Sequence, residues 1–251
     1  MSTRGPWQGV LSIARFNWPF YLAAVVVMAA AMLGLIELPA LFPKLICAAA
    51  FVGAAYFFFG SLGVSHLIYD RSDLYRWRWL ERALRDWKLE RDVFCHSGFD
   101  ESSAMLRARF PSAEWRILDH FDAERMTEAS IRRARQLYPP TPDTIAAPFD
   151  RWPLADDWAD VIFGLLAVHE LRSEAERAAW FAEARRCLRG GGRVLLVEHV
   201  RDLANFIAFG PGFLHFHSPA SWRRSWESVG LRLHDEFRVT PWVRVFVLMS
   251  A

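Results

Sequence analysis

The chain has 251 residues, 53% of them hydrophobic, with 12 Trp and 20 Phe, which excludes a disordered or fibrous protein. Lys and Arg number 30 against 28 Asp and Glu, a formal charge of +2 that is too balanced for a nucleic-acid partner. The three cysteines Cys47, Cys95 and Cys187 have neither CxxC nor metal-type spacing, so no disulfide framework or zinc site is indicated.

Apolar residues concentrate at the start of the chain. Phe16–Ile36 carries no charge over 21 residues, and at about 1.5 Å per residue such a run spans a hydrocarbon layer of roughly 30 Å. Leu45–Tyr69 is uncharged over a further 25 residues, and Pro39 and Pro43 in the short connection break both helices. The pattern predicts two transmembrane helices, about 16–36 and 45–69, forming an N-terminal hairpin over residues 1–69. A cleaved signal peptide does not fit, since the first run is too long and a second span follows at once. Arg4 and Arg15 precede the hairpin, Arg71, Arg76, Arg78, Arg82 and Arg85 follow it, and the connection holds only Lys44. The positive-inside rule then puts both termini and the following domain in the cytoplasm, at the inner (cytoplasmic) membrane, with the lipid bilayer as partner. Trp7, Trp18 and Tyr69 stand where interfacial aromatics are expected, and His66, a turn from Asp70, reads as an interfacial residue.

Residues 70–90 carry Leu74, Trp77, Leu80, Leu84 and Trp87 at three- and four-residue spacing opposite an Arg-rich face, predicting an amphipathic juxtamembrane helix. Such a helix either lies on anionic headgroups or packs on the next domain as its first helix.

In residues 91–251 short apolar runs alternate with helical stretches, the signal of an α/β fold with a parallel sheet. Strands are predicted at Asp92–His96, Glu114–Asp122, Thr144–Phe149, within Ala159–Leu171, and at Arg193–Val200. A last pair flanks Thr240–Pro241. Helices are predicted at Glu101–Phe110, Glu124–Tyr138, Ser173–Leu188 and Ser218–Gly230. Ser173 and Glu176 have capping-box spacing, Gly190–Gly192 stop that helix, and Ser218–Pro219 open the last one.

Asp160 in a strand opening Ala159–Ile162, a helix running into EARRCLRGGGRVLLVEH, and a closing SWESVGLRL together resemble the class I S-adenosylmethionine-dependent methyltransferases. The likeness is to their quinone/sterol branch and covers roughly Asp92 to Leu248, with Trp152-Pro153-Leu154 where that branch has Leu-Pro-Phe. It implies a Rossmann-like seven-stranded methyltransferase sheet with helices on both faces, preceded by two transmembrane helices, and S-adenosylmethionine as methyl donor. One departure is plain. The turn after the first strand, CHSGFDESS, keeps Gly98 alone of the glycines that let backbone approach the donor. Ser97 and Gly98 are the cofactor-binding residues of that degenerate loop, which also reads as an ordinary capped helix start.

The resemblance places the ribose acid at the end of the second strand, where Asp122 is favoured and Asp119 is the alternative; Asp122 also suits a helix N-cap. Asp150, after the third strand, matches the acid that meets the adenine amino group, or forms a turn. Beyond the fourth strand, His169 points to the crevice as a catalytic and cofactor-facing residue, with Glu170 beside it or capping the next helix. Glu198-His199 holds the equivalent place after the fifth strand, making a cluster of ionisable groups.

In Asn205–Pro219 the aromatic, Gly/Pro-rich run with His215 and His217 reads as a lid over the crevice, with His217 as acid/base or orienting group, or as packing against the membrane-proximal surface. The two histidines lack an evident third ligand, so no metal is expected. Methyl transfer needs no covalent enzyme intermediate, consistent with the lack of a GxSxG motif. A hairpin, an interfacial helix and an aromatic lid suggest an amphipathic or lipid-like small-molecule acceptor. The rival expectation is a catalytically inactive methyltransferase-like membrane module; an NAD-type oxidoreductase would need GxGxxG.

Overall fold

The computed structural model describes residues 4–85 and 87–251. The chain opens with helix α1 (Gln8–Phe16), then α2 (Trp18–Glu37) and α3 (Leu41–Arg71), the last containing two wider π-helical turns at Tyr56–Gly60 and Leu67–Arg71. With mean hydropathies of 2.3 and 2.0, α2 and α3 are long and apolar enough to cross a membrane. They pair with each other and leave Val26, Leu33, Ile36, Phe42 and Val52 exposed. Helix α1 folds back onto the end of α3. The Asp70 carboxylate accepts the free N–H groups of Gly9 (2.7 Å) and Val10 (3.0 Å) and lies 3.0 Å from His66, on which Trp7 stacks at 4.0 Å. Contact is tight enough that a Cβ on Gly9 would come within 2.3 Å of the Tyr69 Cβ.

Residues 72–90 are not the single amphipathic helix that the spacing predicts; residue 86 lies outside the described residues. Only Leu80–Ala83 is helical (α4), and Trp77 takes a left-handed conformation (φ 63°) that interrupts the segment. The cause is packing. Trp77 and Trp79, two apart, would lie on opposite faces of a helix, yet both are buried, together with Leu74, Leu80 and Leu84. They pack on one face of the sheet against Phe94, Ile117, Phe163 and Leu195, so the segment belongs to the α/β domain's core.

The strands are β1 (Arg91–His96), β2 (Glu114–Asp119), β3 (Thr144–Ala146), β4 (Ala159–Leu165), β5 (Leu188–His199), β6 (Leu231–Thr240) and β7 (Val243–Ser250). They form a seven-stranded sheet in the order β3-β2-β1-β4-β5-β7-β6. β1 to β5 run parallel, while β7 inserts antiparallel between β5 and β6. The remaining helices are α5 (Ser103–Arg109), α6 (Ala129–Leu137), α7 (Glu174–Cys187), α8 (Leu203–Phe209) and α9 (Pro219–Glu227). α7 starts with the expected capping box, Ser173 and Glu176 each accepting the other's backbone N–H. α7 and α9 cover the second sheet face with Trp180, Phe181, Trp222 and Trp226, all but wholly buried. The glycine run does not stop α7. That helix ends at Cys187 and β5 continues through Gly190–Gly192, with Gly191 (φ 83°) admitting the Trp87 ring, which a Cβ would meet at 2.9 Å.

Asp92 in β1 is fully buried, and burial, with Asp160 nearby, pushes its pKa up to about 8. The folded state therefore keeps a proton that the unfolded chain releases near its ordinary value, so stability falls as pH rises through that interval. Asp92→Asn is expected to leave stability unchanged at pH 4. At pH 9 the variant gains on the order of a few kcal/mol, read by thermal unfolding in detergent.

Candidate active site

Parallel strands present their carboxyl ends at one edge of the sheet, where the connecting backbone and side chains form a crevice. One carboxylate orders that edge here. Glu198 near the end of β5 is fully buried, and its Oε1 accepts the backbone N–H groups of Ala167 (3.1 Å), Val168 (2.9 Å) and His169 (3.2 Å). Its Oε2 lies 2.7 Å from His169 Nδ1. The turn after β4 is thus fastened to β5, beginning at Leu166 with a left-handed φ of 50°.

With Nδ1 so held, His169 Nε2 faces Glu170 at 3.5 Å. The same Glu170 oxygen lies 3.6 Å from His215 Nε2, and His215 Nδ1 lies 2.8 Å from Glu128. Burial works to lower the His169 pKa, but Glu198 and Glu170 outweigh it and raise the value to about 10. Burial likewise opposes ionisation of Glu170, yet the two imidazoles hold its pKa far below the usual carboxylate range. In this state His169 is a cation that can donate a proton or orient an anionic group, and the general-base role is closed to it.

A cavity of about 860 Å³ opens in front of this cluster. Its floor is Phe94, Ser97 and Ala167 at the sheet ends. Ile13 and Phe16 of α1 and Phe20, Tyr21, Phe57 and Ser61 of the apolar hairpin form another wall. Phe209, Leu214 and Phe216 of the aromatic segment complete it. That segment consists of α8 and a 3-10 stretch, Gly210–His215, tied to the hairpin by the Tyr56 hydroxyl, which donates to the Ile207 carbonyl. Of its two histidines, His215 lines the cavity and His217 does not. His217 packs edge-on against Trp222, its Nε2 3.1 Å from the His169 carbonyl and 3.2 Å from Arg177. Burial and Arg177 push its pKa down to about 3. Its expected catalytic role thus gives way to a buried structural one.

The remaining predicted site residues separate. Ser97 lines the cavity and donates to the Ala167 carbonyl at 3.0 Å, joining the ends of β1 and β4. Gly98 (φ 87°) donates to Asp119 Oδ1 at 2.8 Å, and a Cβ there would strike Phe121 at 2.7 Å. Asp119, at the end of β2, is buried; its Oδ1 also accepts from Phe121 N and its Oδ2 from the Arg135 guanidinium of α6. Asp122, favoured for the ribose contact, instead caps a turn by accepting from Glu124 N (2.9 Å), and Asp150 is exposed in a turn. None of Asp119, Asp122 and Asp150 lines the cavity.

A family model described as a methyltransferase domain matches residues 119–196, from the end of β2 into β5. No curated protein matches the chain. Among solved structures, a geranyl diphosphate methyltransferase in complex with S-adenosylmethionine is 14% identical, with a TM-score of 0.52 over 74% of this chain and 89% of that one. The PH0226 protein from Pyrococcus horikoshii OT3 is also 14% identical, with a TM-score of 0.50 over 70% of this chain and 90% of that one. The sheet order and these likenesses give the chain the Rossmann-like fold of the class I S-adenosylmethionine-dependent methyltransferases. The methyltransferase-domain match supports S-adenosylmethionine as the methyl donor.

This chain's residues fit that donor at one end only. The ends of β1 and β4 leave open space beside Ser97 and Ala167. At the end of β2, Asp119 already accepts from Gly98, Phe121 and Arg135, and the Phe121 ring packs on Gly98, so the acid there is engaged by the chain's own donors.

Sequence reasoning missed the parts played by Glu198, Glu128, His215 and Arg135. Glu198 was visible only as one ionisable group at a strand end; its role follows from the register pairing Leu165 with Val197. Removing a buried carboxylate that satisfies three backbone donors and an imidazole is costly. Glu198→Ala is expected to destabilise the chain by about 3–5 kcal/mol. Glu198→Gln, which keeps an acceptor for the backbone, should cost clearly less, as thermal unfolding of the two variants would show.

Proposed function

We propose that this chain is a membrane-anchored methyltransferase that draws an amphipathic, lipid-like small molecule into the cavity between its sheet and its apolar hairpin. The shared cavity carries the reading, since Phe20, Tyr21, Phe57 and Ser61 from the two apolar helices and Ser97, Ala167 and His169 from the sheet edge line one space. A soluble acceptor would need no such wall. The walls are apolar along the hairpin and α1, while Glu128, His169, Glu170, Arg172 and His215 make one end polar, matching a molecule with an apolar tail and a polar head. Exposed Leu203, Phe206, Ile207 and Leu214 on the lid suit a surface resting on a bilayer. With the arginines around the hairpin, the orientation is both termini and the α/β domain on the cytoplasmic side of the inner membrane.

S-adenosylmethionine, when bound, supplies an electrophilic methyl group. The chain's own residues act by position: the hairpin and lid exclude water, and the His169 cation beside Glu170 orients the acceptor's polar head. A quinone precursor or an isoprenoid fits this description, in keeping with the quinone/sterol branch.

The second reading, a catalytically inactive module that holds a ligand or partner, is favoured by one observation: Asp119 is committed to Arg135. Calorimetric titration of the full chain in detergent with S-adenosylhomocysteine separates the two. Because Arg135 competes for Asp119, Arg135→Ala is expected to bind roughly tenfold tighter than the unaltered chain. Membranes carrying the chain should also move labelled methyl groups from the donor into the organic-soluble fraction. Failure of both proteins to bind at millimolar ligand would leave only the inactive module.

A further inference from the structure

The His169–Glu170–His215 cluster has the construction of a metal centre, and we propose that these three side chains hold a divalent first-row transition ion of the Zn2+ type. Their ligand atoms lie within 4.8 Å of one another, with Glu170 Oε1 3.5 Å from His169 Nε2 and 3.6 Å from His215 Nε2. Those separations exceed a normal hydrogen bond. They match ligands that share an ion: at 2.0–2.2 Å from a tetrahedral centre, ligand atoms sit about 3.3–3.6 Å apart.

The other side of each ring is held as well. His169 Nδ1 faces the buried Glu198 at 2.7 Å, and His215 Nδ1 faces Glu128 at 2.8 Å. A carboxylate behind each imidazole fixes the tautomer that leaves Nε2 unprotonated for a metal. Both Nε2 atoms are thereby aimed at the same glutamate. Glu128, Glu170 and Glu198 converge here with Arg172 beside them. A divalent ion that displaces the protons the imidazoles otherwise carry leaves both rings neutral, and its charge takes the place of theirs against the two remaining negative charges. Arg172 also donates to the backbone carbonyls of His169 and His215, tying together the two segments that carry the ligands before any ion arrives.

Spacing alone could not show this. The HxH pair of the sequence is not the site, because His217 turns into the Trp222 contact, and the second imidazole comes from the turn after β4. Three protein ligands leave a coordination position open, and the cluster lines the cavity, so that position would take an anionic oxygen on the occupant's polar head. The ion needs no methyl donor, so its binding stands or falls separately from the methyl-transfer reading.

The test uses the full chain without a histidine tag, purified in detergent and stripped with a chelator. Calorimetric titration with Zn2+ is expected to give one ion per chain with micromolar or tighter affinity, and Co2+ should produce the strong visible bands of a low-coordinate centre. His215→Ala and Glu170→Gln should each weaken Zn2+ binding at least about 100-fold, and Glu198→Gln about 10–100-fold. The Co2+ spectrum of the unaltered chain keeps the test decisive should a variant fail to fold. Absence of binding at millimolar Zn2+, a Co2+ spectrum like that of the free aqua ion, or unchanged affinity in folded His215→Ala and Glu170→Gln would overturn the assignment.

Discussion

Glu198 accepts three backbone N–H groups from Ala167 to His169 and faces the His169 ring at 2.7 Å, and the rest of the site is arranged around that set of bonds. A buried carboxylate is tolerated only where hydrogen bonds replace its water, and the turn after β4 supplies them. In return the turn is fixed: His169 Nδ1 is taken up by Glu198, Nε2 faces Glu170, and both residues line the cavity. A flexible connection at this point would scatter the groups that now converge with His215.

The second constraint is the return of the N-terminal helices over the sheet edge. Asp70 caps α1, the Phe16 ring meets Phe99 of the loop after β1 at 5.1 Å, and Arg133 of α6 reaches the Phe16 carbonyl at 2.6 Å. Arg4 pairs with Glu101 in that same loop. The loop after β1 is therefore packed against α1 and the residues that precede it. Asp119 belongs to the same packed region through its hydrogen bond from Gly98.

Much of the fold was legible because each parallel strand is a short apolar run and each helix start carries its own signal. The Ser173–Glu176 capping box and the Ser218 cap stand where the letters place them. Errors arose where tertiary packing overrode local pattern. The Leu74–Leu84 stripe is real, but burial of both Trp77 and Trp79 unwinds its helix. Gly190–Gly192 suggested a helix stop, whereas one of them lets Trp87 approach β5. In the site, the clustering of His169 and Glu170 at a strand end was readable from the order of elements. The choice between His215 and His217 was not, because the 3-10 stretch ends at His215 while His217 pairs with Val200 in an extended bridge that turns its ring to Trp222, a change of backbone that the HxH spacing does not show. Asp122 lost to Asp119 as the acid at the end of β2 for a similar reason: β2 ends three residues earlier than its apolar pattern suggests.

The idea that unites these features is that the hairpin and the sheet edge enclose one space for an amphipathic molecule. Native mass spectrometry of the full chain, extracted in mild detergent from the cells that make it, tests it directly. The account predicts a bound small amphipathic mass on the unaltered chain and its loss from Ile13→Trp, whose indole would fill the space lined by α1. A chain that emerges bare, or a bound mass that Ile13→Trp leaves undisturbed, would contradict it.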